Sequence, residues 1–144
     1  MGGVVRDNLI NKSSKDIYLL ITNLEVNKIV EILNCHGKVN VVGKSFGIFK
    51  FREHNSQTDD YFDIAIPRKE IKKGKHDSFD LSCDPLLPIE QYLRRKDFTM
   101  NAIAQDVISG EIIDPFDGQL DIYNKRIRII SSNSFEELYS FHRD

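Results

Sequence analysis

Two adjacent glycines and an arginine near the start of the chain are residues that could bind a phosphate. Gly2 and Gly3 open a segment that predicts a short helix over residues 4–10, with Arg6 in its first turn. Glycine lets backbone N–H groups approach a ligand closely, and the start of a helix favours an anion. The planar guanidinium of Arg6 can bind two phosphate oxygens at once. The alternative is a glycine-rich start with an ordinary surface arginine, which is the commoner case for so short a pattern.

Two carboxylates on predicted strands are the second candidate for chemistry. Asp16 precedes the apolar run 17–21, which is short enough for a buried strand. Tyr18 follows two positions later on the same face, where a second carboxylate would complete a divalent-metal pair. Asp63 lies in another predicted strand, residues 61–66, and could supply a ligand from a neighbouring strand. From spacing alone, a turn or capping role for Asp16 and an exposed strand position for Asp63 are the stronger interpretations.

Two basic segments could attract nucleotides or nucleic acid. Residues 93–102 read Leu-Arg-Arg-Lys-Asp-Phe-Thr-Met-Asn-Ala, and the apolar residues after the cations indicate a partly buried segment in which Asp97 could pair with an arginine. Three cations in a row are more often a solvated face.

Residues 68–76 hold five Lys or Arg and one Glu. They lack apolar periodicity, so we predict a mobile surface loop over 68–80. The net charge of −2 gives no global nucleic-acid signal.

The elements that must position these residues predict an α+β fold, because strands and helices do not alternate strictly. A helix capped by Asn23 should run to about residue 34, since apolar residues at positions 26, 29, 30 and 33 share one face, and Gly37 ends it. Further strands are predicted at residues 39–42, 46–51, 102–107, 111–114 and 126–130, a hairpin loop at 54–60, and helices at 89–95, 118–124 and from 134 onward.

Length and composition predict one domain spanning residues 1–144. A chain of this size can bury a stable hydrophobic core without disulfides or bound metal ions. Cys35 and Cys83 form no disulfide framework or metal-ligand spacing, which favours a reducing cytosol and a cytoplasmic location. No apolar run approaches the ~18 residues of a membrane span, so no membrane partner is expected.

The order of these segments resembles the head domain of the class II tRNA CCA-adding enzyme and bacterial poly(A) polymerase family. The matching stretches are Gly-Gly-Val-Val-Arg-Asp at 2–7, Lys-Asp-Ile at 15–17, Asp-Ile-Ala-Ile-Pro-Arg-Lys-Glu at 63–70, Arg-Arg-Lys-Asp-Phe-Thr-Met-Asn-Ala at 94–102 and Gly-Glu-Ile-Ile-Asp-Pro-Phe-Asp-Gly at 110–118. The block that begins with Arg94 is the most specific of these, and the resemblance covers nearly the whole chain.

The resemblance implies a polymerase-β-like nucleotidyltransferase fold, a small mixed sheet flanked by helices. It implies transfer of CMP or AMP from CTP or ATP to the 3′ end of RNA, in particular tRNA, with magnesium ions held by paired carboxylates. A catalytically inactive relative that only binds nucleotide or RNA is the alternative. A structural fragment without a function of its own is the third interpretation.

The resemblance also implies roles for individual residues. By motif, the triphosphate would be bound by Gly2, Gly3 and Arg6, the nucleotide pocket would be lined by Arg95, Lys96, Asp97 and Asn101, and magnesium would be held by Asp16 and Asp63. Asp114 and Asp117 are expected to be structural turn residues around Pro115.

Three departures from the family pattern affect these expectations. Tyr18 stands where the family has its second metal-binding aspartate, and Lys96 stands where the family usually has arginine. The chain begins at the Gly-Gly pair, and residues 140–144 resemble the start of the family's Phe-x-Glu-Asp-Pro-Leu-Arg element, with Arg143 at the Glu position. The strand that leads into Gly-Gly, and the neck and body domains, are therefore expected to lie outside this chain.

Overall fold

The protein is described by a computed structural model that covers residues 1–14, 16–41, 47–57, 61–73 and 78–131. It divides into two compact units. The sheet unit is Asp16–Tyr92, and the terminal unit combines Met1–Lys15 with Leu93–Asp144. Helices and strands are mixed along the chain, which confirms the predicted α+β class. None of the helices in the described ranges combines the length and the hydropathy needed to cross a bilayer.

The elements largely follow the predicted order. They are α1 (Gly3–Leu9), β1 (Tyr18–Leu20), α2 (Val26–His36), β2 (Gly37–Val41), β3 (Ile48–Glu53), β4 (Phe62–Ala65), β5 (Arg68–Lys73), β6 (Ser78–Cys83), α3 (Ile89–Leu93), a 3-10 helix (Thr99–Asn101), β7 (Ala104–Gln105), β8 (Ile112–Ile113) and α4 (Gly118–Tyr123).

A mixed four-stranded sheet organises the sheet unit, in the order β1-β4-β3-β2. β1 runs parallel to β4, and the other neighbours are antiparallel. The register places Tyr18, Asp63, Lys50 and Asn40 in one row across the four strands. Since strand residues alternate between faces, these four side chains share one face of the sheet.

The opposite face of the sheet carries the hydrophobic core. Phe49 and Ile64 are buried there together with Ile29 of α2. The apolar residues predicted to form one face of α2 pack against this cluster, as their helical spacing requires. The predicted cap is wrong, however. Asn23 has a positive φ of 59° and donates its N–H to the carbonyl of Pro85, so α2 begins later, with Glu25 as its N-cap.

The loop predicted over residues 68–80 is also wrong where the structure describes it. β5 and β6 pair in an antiparallel two-stranded sheet, from Arg68 opposite Cys83 to Lys73 opposite Ser78. Residues 74–77 lie outside the described ranges. Ladder hydrogen bonds join backbone groups and therefore do not require an apolar pattern in β5. The missed signal was the polar-apolar alternation in β6, Ser-Phe-Asp-Leu-Ser-Cys.

A buried polar network lies inside the terminal unit. The hydroxyl of Thr99 donates to Oδ2 of Asp121 at 2.7 Å, and Nε of Arg128 donates to the same oxygen at 2.9 Å. Asp121 is 2% exposed and Thr99 1%. Arg128 also donates Nη2 to the carbonyl of Phe116 at 2.6 Å. The network ties the 3-10 helix to α4 and to the segment that follows α4.

The strand predicted at residues 126–130 is wrong and reduces to one isolated bridge, Phe98 with Ile129. Two backbone bonds flank this bridge, from Thr99 N to Arg128 O and from Ile130 N to Asp97 O. The ladder cannot extend because the partner segment turns into the 3-10 helix at Thr99. The helix expected from residue 134 lies outside the described residues, as do predicted strand positions 42 and 46 and loop residues 58–60.

Replacing Asp121 should make the thermal stability of the protein less dependent on pH in the acidic range. The hydrogen bond from Thr99, supported by Arg128, holds the pKa of Asp121 below its ordinary value of 3.8. A carboxyl whose folded pKa is depressed stabilises the fold above its unfolded pKa and loses that contribution as pH falls through the folded pKa. We therefore expect Asp121→Asn to lower the Tm at pH 7, with a smaller difference from wild type at pH 3, measured by circular dichroism.

The control for this experiment is Glu111→Gln, which neutralises an exposed carboxylate. Its Tm should stay close to that of wild type at both pH values. A Tm difference for Asp121→Asn that is the same at pH 7 and pH 3 would contradict the assignment.

Candidate functional site

An open pocket in the terminal unit brings together residues from two distant segments of the chain. Its volume is about 320 Å³. The lining residues are Gly2, Gly3, Arg6, Lys96, Asp97 and Asn101. All six belong to the nucleotide-binding set that the sequence predicted. Arg6 and Asn101 are 95 positions apart, so the pocket forms only when these two segments pack together.

The guanidinium of Arg6 is held in a fixed orientation at this pocket. Nη1 donates to Oδ1 of Asn101 at 2.7 Å, while Nε and Nη2 donate to Oδ1 of Asp7 at 2.9 and 2.8 Å. An arginine has five N–H donors, so these bonds leave two of them for a ligand. The Arg6 side chain is 31% exposed, which leaves its charge accessible from solvent. A pre-oriented, partly exposed guanidinium of this kind suits an anionic ligand.

The backbone around the glycines leaves room at the pocket. Gly2 has a φ of +70°, a conformation that side chains rarely adopt, and donates its N–H to the carbonyl of Ile103 at 2.8 Å. A Cβ at Gly3 would lie 3.6 Å from Nη2 of Arg6. No side chain caps the first turn of α1. The first N–H groups of an α-helix have no partner within the helix, and the binding of a phosphate by them stays a prediction.

Not every predicted nucleotide-binding residue lies at the pocket. Arg95 is exposed and is absent from the lining. The pairing of Asp97 with a neighbouring arginine stays a prediction. The guanidinium of Arg94 lies over the ring of Phe116, 5.6 Å from its centroid.

Asp114 has the structural role that the sequence predicted. Its two carboxylate oxygens accept the backbone N–H groups of Gly118 and Gln119, at 2.7 and 2.8 Å. Asp117 adopts a left-handed conformation as the N-cap residue of α4. Both residues therefore serve the turn that starts α4.

In the sheet unit, Asp63 presents an incompletely satisfied carboxylate. Its Oδ1 atom is buried and has no hydrogen-bond partner. The ammonium of Lys50 lies 3.4 Å from the same atom, as an ion pair without hydrogen-bond geometry. Buried polar atoms are nearly always hydrogen-bonded, so an orphaned carboxylate oxygen indicates a missing partner. A divalent cation is one partner that fits, since carboxylate oxygen is the donor it prefers.

Tyr18 is the register neighbour of Asp63 and cannot replace a second carboxylate. Its hydroxyl lies 3.3 Å from that of Tyr92, within hydrogen-bonding distance. Burial above all, then this hydrogen bond, raises the pKa of Tyr18 far above its ordinary value of 10.0. The phenol is therefore neutral at physiological pH and offers a cation no negative charge.

Asp16 lies two residues before Tyr18, outside β1, and is exposed. If the chain stays extended through Ile17, its side chain points to the same face as Tyr18. No group of three or more histidine, cysteine, aspartate or glutamate residues with metal-binding geometry occurs among the residues that the structure describes. Within the described ranges, the prediction of a metal site therefore depends on two carboxylates, Asp16 and Asp63, and their joint role stays a prediction.

Three residues of these two sites could not be assigned from the sequence. Asp7 orients Arg6, Lys50 pairs with Asp63, and Tyr92 meets Tyr18. The alternation Phe-Lys-Phe at positions 49–51 does place Lys50 on the face away from the core. Its position opposite Asp63 follows from the pairing register, which a single sequence does not reveal.

The mixed fold and the pocket define an α+β protein with a site suited to an anionic ligand, and comparison with known proteins identifies its family. The chain belongs to the poly(A) polymerase head domain family, whose model matches residues 1–128.

Individual relatives agree with this family assignment. The chain is 34% identical over 138 residues to the multifunctional CCA protein of Haemophilus ducreyi, covering 95% of this chain and 31% of that protein. The Bacillus stearothermophilus CCA-adding enzyme in complex with CTP has a similar structure, with a TM-score of 0.73 and 28% identity over 94% of this chain and 30% of that one. A tRNA nucleotidyltransferase complexed with a primer tRNA and an incoming ATP analog gives a TM-score of 0.69 and 27% identity, covering 94% and 36%. The chain thus spans about a third of the length of these proteins.

Gly118 should be intolerant of a side chain because α4 packs directly on the 3-10 helix. An added Cβ would collide with the carbonyl of Thr99 and lie 2.9 Å from Cγ1 of Ile103. We expect Gly118→Ala to lower the free energy of unfolding by about 1–3 kcal/mol, the usual cost of overpacking. Urea denaturation followed by circular dichroism measures this. The control Leu120→Ala removes a side chain that is 58% exposed on the same helix. Equal stability of Gly118→Ala and wild type would show that the contact relaxes freely.

Proposed function

We propose that this chain is the nucleotide-binding head of an RNA nucleotidyltransferase, which transfers CMP or AMP from CTP or ATP to the 3′ end of RNA, in particular tRNA. The observation that carries the proposal is the pocket in which Arg6 is held by Asn101 and Asp7 beside the two glycines. Family membership supports it, as do the relatives named for CCA addition. We also propose that residues 1–144 act as one head domain, because the family model spans both compact units.

In this proposal the pocket binds the triphosphate and part of the nucleoside. Arg6 contributes its two remaining N–H donors, and Lys96 adds a second positive charge. Lysine is a point charge without the forked geometry of arginine, so the bond through Lys96 is less directional. Asp97 and Asn101 offer hydrogen-bond acceptors to the ribose or the base. The carboxylate of Asp97 would repel the phosphates, so it faces the uncharged part of the nucleotide in this proposal.

Asp16 and Asp63 would hold the metal, and we propose magnesium. The orphaned Oδ1 of Asp63 supports this assignment. In phosphoryl transfer a divalent cation lowers the pKa of the attacking hydroxyl and stabilises charge on the leaving pyrophosphate. Of the chain's own residues, Asp63 would bind the cation through its carboxylate. Tyr18 is neutral and lacks the negative charge that a second aspartate would provide.

A relative that binds nucleotide without transferring it is the second candidate. It is favoured by one observation: Tyr18 is neutral and already bonded to Tyr92 beside the remaining carboxylate. Both candidates predict nucleotide binding at the pocket, but only the first predicts incorporation of nucleotide into RNA.

Removing the guanidinium of Arg6 should weaken nucleotide binding. Hydrogen bonds to charged groups contribute about 1.5–3 kcal/mol. We expect Arg6→Ala to raise the Kd for ATP by roughly ten- to a hundredfold, since each factor of ten is about 1.4 kcal/mol. Isothermal titration calorimetry measures this Kd. The control Arg126→Ala removes an exposed arginine of the same unit that does not line the pocket. If Arg6→Ala and wild type bind ATP equally, the triphosphate does not bind at this pocket.

Replacing Tyr18 with aspartate should restore a metal-binding pair. We expect Tyr18→Asp to bind magnesium more tightly in the presence of ATP, because a carboxylate adds a negative charge beside Asp63. Without metal the two carboxylates repel each other, so the Tm of this variant should rise with added magnesium. Wild type should incorporate labelled nucleotide into tRNA lacking its 3′ CCA very slowly, and Tyr18→Asp should do so faster.

The matched control is Tyr123→Asp, which makes the same chemical change at a position that is 84% exposed. Its magnesium affinity and incorporation rate should equal those of wild type. If wild type transfers nucleotides as fast as Tyr18→Asp, the carboxylates that bind the metal lie elsewhere. If Tyr18→Asp binds magnesium and ATP but incorporates nothing, the binding-only candidate is favoured.

A further inference from the structure

Lys50 is the cation next to Asp63 that neither the family resemblance nor the motifs assign. The two residues are register partners on β3 and β4, with Nζ 3.4 Å from Oδ1. Both side chains are about half exposed, at 49% and 42%. Yet Oδ1 itself is buried and forms no hydrogen bond. The ammonium therefore neutralises this oxygen without satisfying it as a hydrogen-bond acceptor.

We propose that Lys50 is an internal counter-ion that competes with a divalent cation for Asp63 and keeps metal from binding to the sheet on its own. This inference rests on the proposed function, because it takes Asp63 as a metal ligand. It adds a role for a residue outside the metal-binding set.

The charges in the row support competition rather than cooperation. Tyr18 is neutral, Asp63 carries one negative charge and Lys50 one positive charge, so the three together are formally neutral. A divalent cation at Oδ1 would meet the ammonium at close range. Even in water, repulsion at about 4–5 Å between a double and a single charge corresponds to roughly a tenfold loss of affinity.

The pair is also easy to break when a stronger ligand arrives. Exposed ion pairs contribute little to stability, and a lysine stem is flexible enough to move its ammonium into solvent. A triphosphate brings several negative charges and can carry its own cation. The ion pair therefore opposes a bare cation at Asp63 without blocking this carboxylate permanently.

The test is manganese binding to the full chain without nucleotide, measured by electron paramagnetic resonance of the free ion. We expect Lys50→Gln to bind Mn²⁺ about tenfold more tightly than wild type, while Lys50→Arg, which keeps the charge, stays near wild type. The matched control is Lys38→Gln. Lys38 is exposed on the same face of the sheet, but its register partner on β3 is Arg52. Its replacement therefore removes the same charge away from Asp63. Circular dichroism melts verify that each variant folds.

The possible outcomes separate this inference from the proposed function. If Lys50→Gln binds Mn²⁺ more tightly than Lys38→Gln, and adding Asp63→Asn to Lys50→Gln abolishes the gain, the inference is supported. If Lys50→Gln binds like wild type while Asp63→Asn loses the ion, the competition is refuted but the metal site stands. If Asp63→Asn has no effect, or if Lys50→Gln binds no ion, the metal assignment fails and the inference fails with it.

Discussion

The parallel pairing of β1 with β4 is the constraint on which the chemistry of the sheet depends. It sets Tyr18 opposite Asp63, although the two are 45 positions apart in the chain. A slip of one residue would turn the apolar side chains of β1 towards the wrong face of the sheet. Leu19 and Ile64 pack in the core with α2, and this burial excludes the slipped register. The hydrophobic alternation therefore also fixes the row of polar groups on the opposite face.

The terminal unit depends on a different constraint, a buried carboxylate whose partners are all supplied by the fold. Asp121 accepts from Thr99 and Arg128, and Thr99 begins the 3-10 helix that ends at Asn101. Asn101 in turn accepts from Arg6. A fully satisfied buried network rigidifies its surroundings, while a partly satisfied one is costly. The orientation of the guanidinium at the pocket thus depends on Asn101, and the buried network of Thr99, Asp121 and Arg128 supports the helix that carries Asn101.

The sequence was a good guide where a feature depends on local pattern. The apolar face of α2 follows from its helical spacing. The order of the elements and all six residues that line the pocket follow from the motifs, whereas Arg95 was predicted with them and does not line it. Asp7, which holds Arg6, was not predicted. Asn23 has the residue type of a helix cap, but its N–H donates to the carbonyl of Pro85 and it does not cap α2. Such outcomes are settled by tertiary contacts.

Features that depend on pairing were the least predictable. β5 has a composition typical of a solvated loop, yet main-chain bonding to β6 makes it a strand. The contact of Lys50 with Asp63 required the register of two strands, and the Tyr18–Tyr92 bond required the position of α3 relative to β1. Burial and the pairing of strands that are far apart in the sequence decide these contacts, so residue type alone does not predict them.

Under the proposed function, phosphate binding and metal binding depend on different groups of residues. The groups suited to phosphate, Arg6 and the glycine turn, lie in the terminal unit and are intact. In the sheet unit, a neutral phenol takes the place of one carboxylate, and an ammonium lies beside the other. Both groups make the row less negative than a pair of carboxylates would be, so both weaken the binding of a cation there without involving the residues that line the pocket. Nucleotide affinity can therefore persist where the capacity for transfer is reduced, because the two properties depend on different residues.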